Sequence, residues 1–157
     1  MMIKKSFATL TVVVLAATSG ITYAADNTVT RISSGVYVEN TAAGCSLLRD
    51  RVTVNTSTGV TMVYNCVTAA SKVNLGACHA SGSQKPTTVR CQNVSEEEGE
   101  VVYNNTSCQG TDEDDTFQIN GRRAYVASTT GGSVAQVSLE ATECSEDSLG
   151  ALATVAN

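Results

Sequence analysis

The chain of 157 residues has the length of one domain, and its 42% hydrophobic content is enough to build a core. Ten basic against 15 acidic side chains give a net charge of −5, which argues against a nucleic-acid binder, since phosphates call for a basic footprint. One histidine and no tryptophan leave little material for the common catalytic constellations.

Residues 1–25 read as a signal peptide. Lys4 and Lys5 form its positive start, Phe7 to Ala17 its apolar stretch, and the small residues around Ala24 and Ala25 its cleavage region. The apolar stretch is shorter than the ~20 residues of a membrane-crossing helix, so export with no membrane span after cleavage is expected. Loss of Lys4 and Lys5 leaves eight basic and fifteen acidic groups, a net charge of −7. The charges divide unevenly, with a net of +3 over residues 26–94 and −10 over 95–157. Such polarity suits a basic partner, divalent cations or head-to-tail self-association, and it also keeps an exported surface solvated.

Serine and threonine supply 31 of the 132 residues from Asp26 onward, and valine is frequent, a composition that favours strands. Val29–Ile32 and Val36–Glu39 are two short candidate strands. Val52–Thr56 and Val60–Tyr64 alternate around Ser57-Thr58-Gly59 and predict a hairpin. Lys72–Leu75 alternates again, with Val73, Leu75 and Ala77 on one face. Thr87–Cys91 follows Pro86, which fits the start of a strand or an edge. The glutamates between Ser95 and Glu100 predict an exposed loop, followed by a short strand over Val101–Tyr103. Asn120-Gly121 is the strongest turn signal and predicts a hairpin that pairs Phe117–Ile119 with Arg122–Ala127. Thr130-Gly131-Gly132 leads into a last strand over Val134–Leu139.

These short connections cannot hold βαβ crossovers, so the expected fold is all-β: a disulfide-stabilised antiparallel β-sandwich, with a small closed β-barrel as second choice. Residues 26–144 form the single exported β-domain and residues 145–157 a short polar C-terminal tail. A division into two subdomains near 95–100 stays open.

Cys45, Cys66, Cys78, Cys91, Cys108 and Cys144 all lie beyond the leader, and an even set in an exported chain predicts three disulfides. Six cysteines allow fifteen pairings. Pairing neighbours along the chain would join Cys45–Cys66, Cys78–Cys91 and Cys108–Cys144. No two cysteines are close enough in sequence for a zinc site, and the haem-attachment pattern is absent.

No catalytic residue is assigned. His79 lacks the local sequence of a nucleophile elbow and reads as a polar loop residue. Asp112, Asp114 and Asp115 offer oxygen ligands for a weak calcium site, out of register with an EF-hand; no other cofactor is expected. Tyr37, Tyr103 and Tyr125, with Arg122 and Arg123, are the candidate interface residues.

In overall form the chain is similar to small exported bacterial proteins, a class that carries no set of functional residues. The expected function is a non-catalytic binding or surface/envelope structural protein in the periplasm or outside the cell. Its partner would be a protein or an envelope or extracellular ligand, with self-association a further route. The alternative is a small secreted hydrolase acting on glycans through paired carboxylates.

Overall fold

The computed structural model describes residues 27–97, 99–108 and 114–157. The signal peptide read over residues 1–25, together with Asp112, lies outside them. The described residues form β1 (Val29–Arg31), β2 (Tyr37–Val38), β3 (Val52–Thr53), β4 (Val60–Val67), β5 (Lys72–His79), β6 (Thr87–Arg90), β7 (Asn93–Glu97), β8 (Glu100–Tyr103), β9 (Thr116–Ile119), β10 (Arg123–Ser128) and β11 (Val134–Ser138). Two short helices follow, α1 (Glu146–Gly150) and α2 (Ala153–Ala156). No helix among the described residues is long and apolar enough to cross a membrane.

The described residues are mostly β, in antiparallel sheets consistent with an all-β fold, and they form no closed barrel, which sets aside the second choice of fold. Its centre is a five-stranded sheet ordered β1-β4-β5-β10-β11. Three two-stranded sheets, β2-β3, β6-β9 and β7-β8, surround it. Because β5 and β10 are neighbours, the central sheet draws strands from both sides of residues 95–100.

The central strands alternate, and both faces of β4 and β5 are covered. On one face lie Val63 of β4, Gly76 and Cys78 of β5, Ala124 and Val126 of β10, and Ala135 and Val137 of β11. These pack with Val94, Leu149 and Val155 into the largest apolar cluster. Val94 stands at a register shift in β7, an extra residue that turns its side chain into this core. A Cβ on Gly76 would stand 2.9 Å from Val155 and 3.6 Å from Leu149, so glycine there lets the helices settle on the sheet.

The segment after Cys144 is therefore part of the core rather than a polar tail. Ser145 and Ser148 cap α1 reciprocally: the Ser148 N–H donates to Ser145 Oγ at 3.1 Å, and the Ser145 N–H to Ser148 Oγ at 2.9 Å. At the other end, Asn65 Nδ2 donates to the carbonyls of Val155 and Ala156, and Asn74 Nδ2 to that of Asn157. Carbonyls that a helix end leaves unpaired thus find donors on the sheet.

The opposite face carries Tyr64 and Cys66 of β4, which pack with Ile32 and Cys45. Val38, Leu48, Val54, Met62, Val73 and Leu75 border that cluster. This layer, between residues 32 and 56, contains only the two-residue strands β2 and β3. A third cluster, Val89, Cys108, Phe117 and Ile119, sits between β6 and β9.

Three disulfides fasten these parts: Cys45–Cys66, Cys78–Cys144 and Cys91–Cys108. Pairing along the chain holds for the first only. β10 lies against β5 and carries the later chain back past Cys78, which puts Cys144 within bonding reach there.

Two predicted hairpins are replaced by longer-range pairs. Val52 and Thr53 pair with Val38 and Tyr37, while Val60–Val67 pairs with β5 and β1. Phe117–Ile119 pairs with β6, and β10 takes β5 and β11 as neighbours. The Asn120-Gly121 turn does form a sharp corner, with Gly121 at φ +108°, but it passes the chain from one sheet to another. Of the glutamates expected in a loop, Glu96, Glu97 and Glu100 lie in the strands of the β7-β8 hairpin, and Ser95 beside them is buried. The final hairpin, β10-β11, is found as expected.

Candidate interaction surfaces

The layer between residues 32 and 56 leaves apolar side chains in solvent. Cross-strand partners Val38 and Val52 share one side of β2-β3, and Tyr37 and Thr53 share the other. Val38 turns toward the core, whereas Tyr37 is 50% exposed, with Val36 at 57% and Val52 at 42%. The Arg51 guanidinium lies over the Tyr37 ring, 4.1 Å from its centroid. A stacked arginine of this kind is held ready for a carboxylate, and the ring beneath offers a rigid apolar contact. Beside it, a groove of about 200 Å³ runs between β1 and β2, with Tyr64 among its lining residues. Burial holds the Tyr64 hydroxyl above the usual tyrosine pKa, and a side-chain hydrogen bond with Thr30 opposes that shift.

A second opening, about 380 Å³, lies where β6 approaches β10 and β11. Tyr125, Val134, Gln136, Gln92 and Arg90 are among its lining residues, and Tyr125 and Val134 are exposed. Tyr103 belongs to neither surface. It is half-buried against the cluster around the Cys91–Cys108 bridge and borders a third groove, of about 370 Å³, near α1. The three candidate tyrosines are therefore dispersed over three grooves.

Arg122 and Arg123 turn back onto their own chain. Arg122 Nε donates to the Thr142 carbonyl at 2.6 Å and Nη1 to that of Ala80 at 2.7 Å, a clamp across the segments next to Cys78 and Cys144. Arg123 reaches the Lys85 carbonyl at 3.4 Å.

His79 is exposed at the end of β5, where its Nδ1 accepts the Ser81 N–H at 3.1 Å and lies 3.2 Å from Ser81 Oγ. That acceptor role assigns the ring proton to Nε2 and the imidazole to closing a turn. Asp114 and Asp115 are exposed, as are Glu96 and Glu100. No group of three metal-binding side chains occurs among the described residues. The chain matches no family model, and no curated protein or solved structure is similar to it.

Sequence reasoning passed over the buried asparagines. Asn104 accepts the Gln92 N–H at 2.8 Å and donates to the carbonyls of Arg90 and Gln136 at 2.9 and 3.1 Å. It joins the end of β6 to β11, as Asn65 and Asn74 join the sheet to α2. Asparagine is depleted in strands, so Asn65 and Asn74 inside alternating valine-rich segments were a readable anomaly.

Proposed function

We propose that the chain is an exported, non-catalytic binding or surface/envelope structural protein, built as a β-sandwich-like domain that presents the Tyr37 surface to a macromolecular partner. The observation that carries this reading is the exposed Tyr37 ring with Arg51 stacked on it and exposed Val36 next to it in the chain. Clusters of aromatic and aliphatic side chains beside arginine are the composition of interface centres. Three disulfides are typical of oxidising extracellular or periplasmic compartments, which supports export. The calcium and glycan-hydrolase expectations gain no support from exposed carboxylates alone.

The test is photo-crosslinking in producing cells, with the reactive residue at position 37 and a control at exposed Thr88. A discrete adduct from position 37 in the exported fraction, lost on Arg51→Ser, is the expected result. Equal labelling from both positions, or retention of the protein in the cytoplasm, would overturn the proposal.

A further inference from the structure

We infer that the partner of the Tyr37 surface is a second copy of this chain, which offers its acidic β7-β8 hairpin head to tail. The inference rests on the reading of the Tyr37 surface as an interface and names its occupant.

The two surfaces lie far apart on one molecule. The layer that carries Tyr37 packs on Tyr64, Cys66, Val73 and Leu75, on the β4 and β5 side of the central sheet. The β7-β8 hairpin instead leans on the turn between β10 and β11. Ser133 Oγ donates to the Asn93 carbonyl at 2.7 Å, and the Glu96 N–H to Thr130 Oγ1 at 3.3 Å. Val94 enters the core on the opposite face of the sheet. Head and tail therefore occupy opposite ends and opposite faces, and a molecule does not reach its own Tyr37 surface with its own hairpin.

Their chemistry is complementary. Around Tyr37 the exposed cations are Arg31, Arg49 and Arg51, set against Glu39 and Asp50. Residues 93–103 contain Glu96, Glu97, Glu98 and Glu100 and no basic residue at all. Glu96 and Glu100 are exposed, and Val101 beside them is 38% exposed. A carboxylate that meets Arg51 finds a guanidinium already oriented by the tyrosine ring, while Val101 supplies an apolar contact for the exposed Tyr37 ring. Exposed ion pairs contribute little alone, so the charges set orientation and the apolar side chains hold the contact. Because the two patches differ, the contact is heterologous, and repetition builds open chains rather than a closed dimer.

Sedimentation velocity of the oxidised protein over a concentration series tests this. In low salt the mass should grow past the dimer, with association roughly tenfold weaker once salt screens the charges. Arg49→Glu with Arg51→Glu removes the head, and Glu96→Lys with Glu100→Lys removes the tail; each pair should leave monomers with unchanged thermal midpoints. Mixed together, the two variants offer a native head to a native tail and a reversed head to a reversed tail, so the mixture should grow as alternating chains. All four substitutions in one chain should restore growth. A strict monomer in low salt, or oligomers indifferent to both pairs, would overturn this head-to-tail contact. A position-37 adduct with a different protein would then preserve the surface reading while rejecting this occupant.

Discussion

On one side of β4 and β5 lie Leu149, Val155 and Val94; on the other lie Ile32, Cys45 and a layer whose only strands are two residues long. The first covering is made of regular elements whose aliphatic side chains interdigitate, with Gly76 shaped to receive them. The second has few ladder hydrogen bonds and is bolted to β4 by Cys45–Cys66. Burial holds one layer and a covalent link holds the other. Of the large exposed apolar side chains among the described residues, Val36, Tyr37, Leu47 and Val52 belong to the bolted layer, while Val101, Tyr125 and Val134 lie on β8, β10 and β11. A layer that leaves these apolar groups in solvent has fewer to bury in its own core.

The disulfides offer the sharpest way to break this contrast. Cys78–Cys144 spans 66 residues and anchors the start of the helical segment, whereas Cys45–Cys66 spans 21. Loop entropy predicts a loss of about 4 kcal/mol for Cys78→Ser with Cys144→Ser, and about 3 kcal/mol for Cys45→Ser with Cys66→Ser. Chemical denaturation should show the first as a global shift. Hydrogen exchange should show the second mainly as lost protection between residues 32 and 56. Equal loss of protection throughout β10 and β11 in the second variant would mean that the two layers open together.

Core truncation asks the same question without cysteine chemistry. Leu149 is fully buried under the sheet, and Leu149→Ala should cost about 3 kcal/mol, read from the denaturation midpoint at constant slope. Leu48, only half-buried at the margin of the other cluster, should cost about 1 kcal/mol as Leu48→Ala. Similar losses at the two sites would remove the distinction between a packed and a bolted layer.

What could be read from the sequence follows this division. The β10-β11 hairpin was legible because its turn and both strands are contiguous and its partner is the nearest one. The turns at Gly59 and Gly121 were equally visible, yet a turn signal specifies a corner and says nothing about which strand waits beyond it. There β5 won both contests, taking β4 on one side and β10 on the other, because a strand with two packable faces belongs in the middle of a sheet. The even cysteine count gave three bridges, but their partners depended on that same sheet order. Tyr37 was visible as a strand tyrosine, whereas Arg51 above it comes from β2-β3 pairing across fourteen residues. Leu149, Leu152 and Val155 recur at intervals of three, but a stretch this short offers too few turns for the pattern to stand out as a helix.

Asn65 is the polar counterpart of Leu149. Its Nδ2 meets three acceptors, at Asn27 Oδ1 and at the carbonyls of Val155 and Ala156. Asn65→Ala strands buried carbonyls and should cost about 2 kcal/mol. Hydrogen exchange should show the loss first in α1 and α2. If the residues between 32 and 56 lose protection equally, the asparagine serves the sheet as a whole rather than the helical layer.

The smallest effect concerns Tyr64, which lies on the bolted side. Its hydroxyl bonds Thr30, so Tyr64→Phe should cost about 1 kcal/mol at neutral pH. Burial raises the Tyr64 pKa above the usual 10.0, so the folded chain keeps a proton that the unfolded chain releases. From pH 10 upward the unfolded state therefore binds fewer protons, and stability falls as pH rises through the folded pKa; below pH 10 that contribution is fully present. Phenylalanine carries no such penalty, so the gap between the wild-type protein and Tyr64→Phe should narrow in alkali. Parallel denaturation curves on either side of pH 10 measure it. A gap that stays constant would place the tyrosine oxygen in contact with water, and the cover over this face would then be looser than its buried cluster implies.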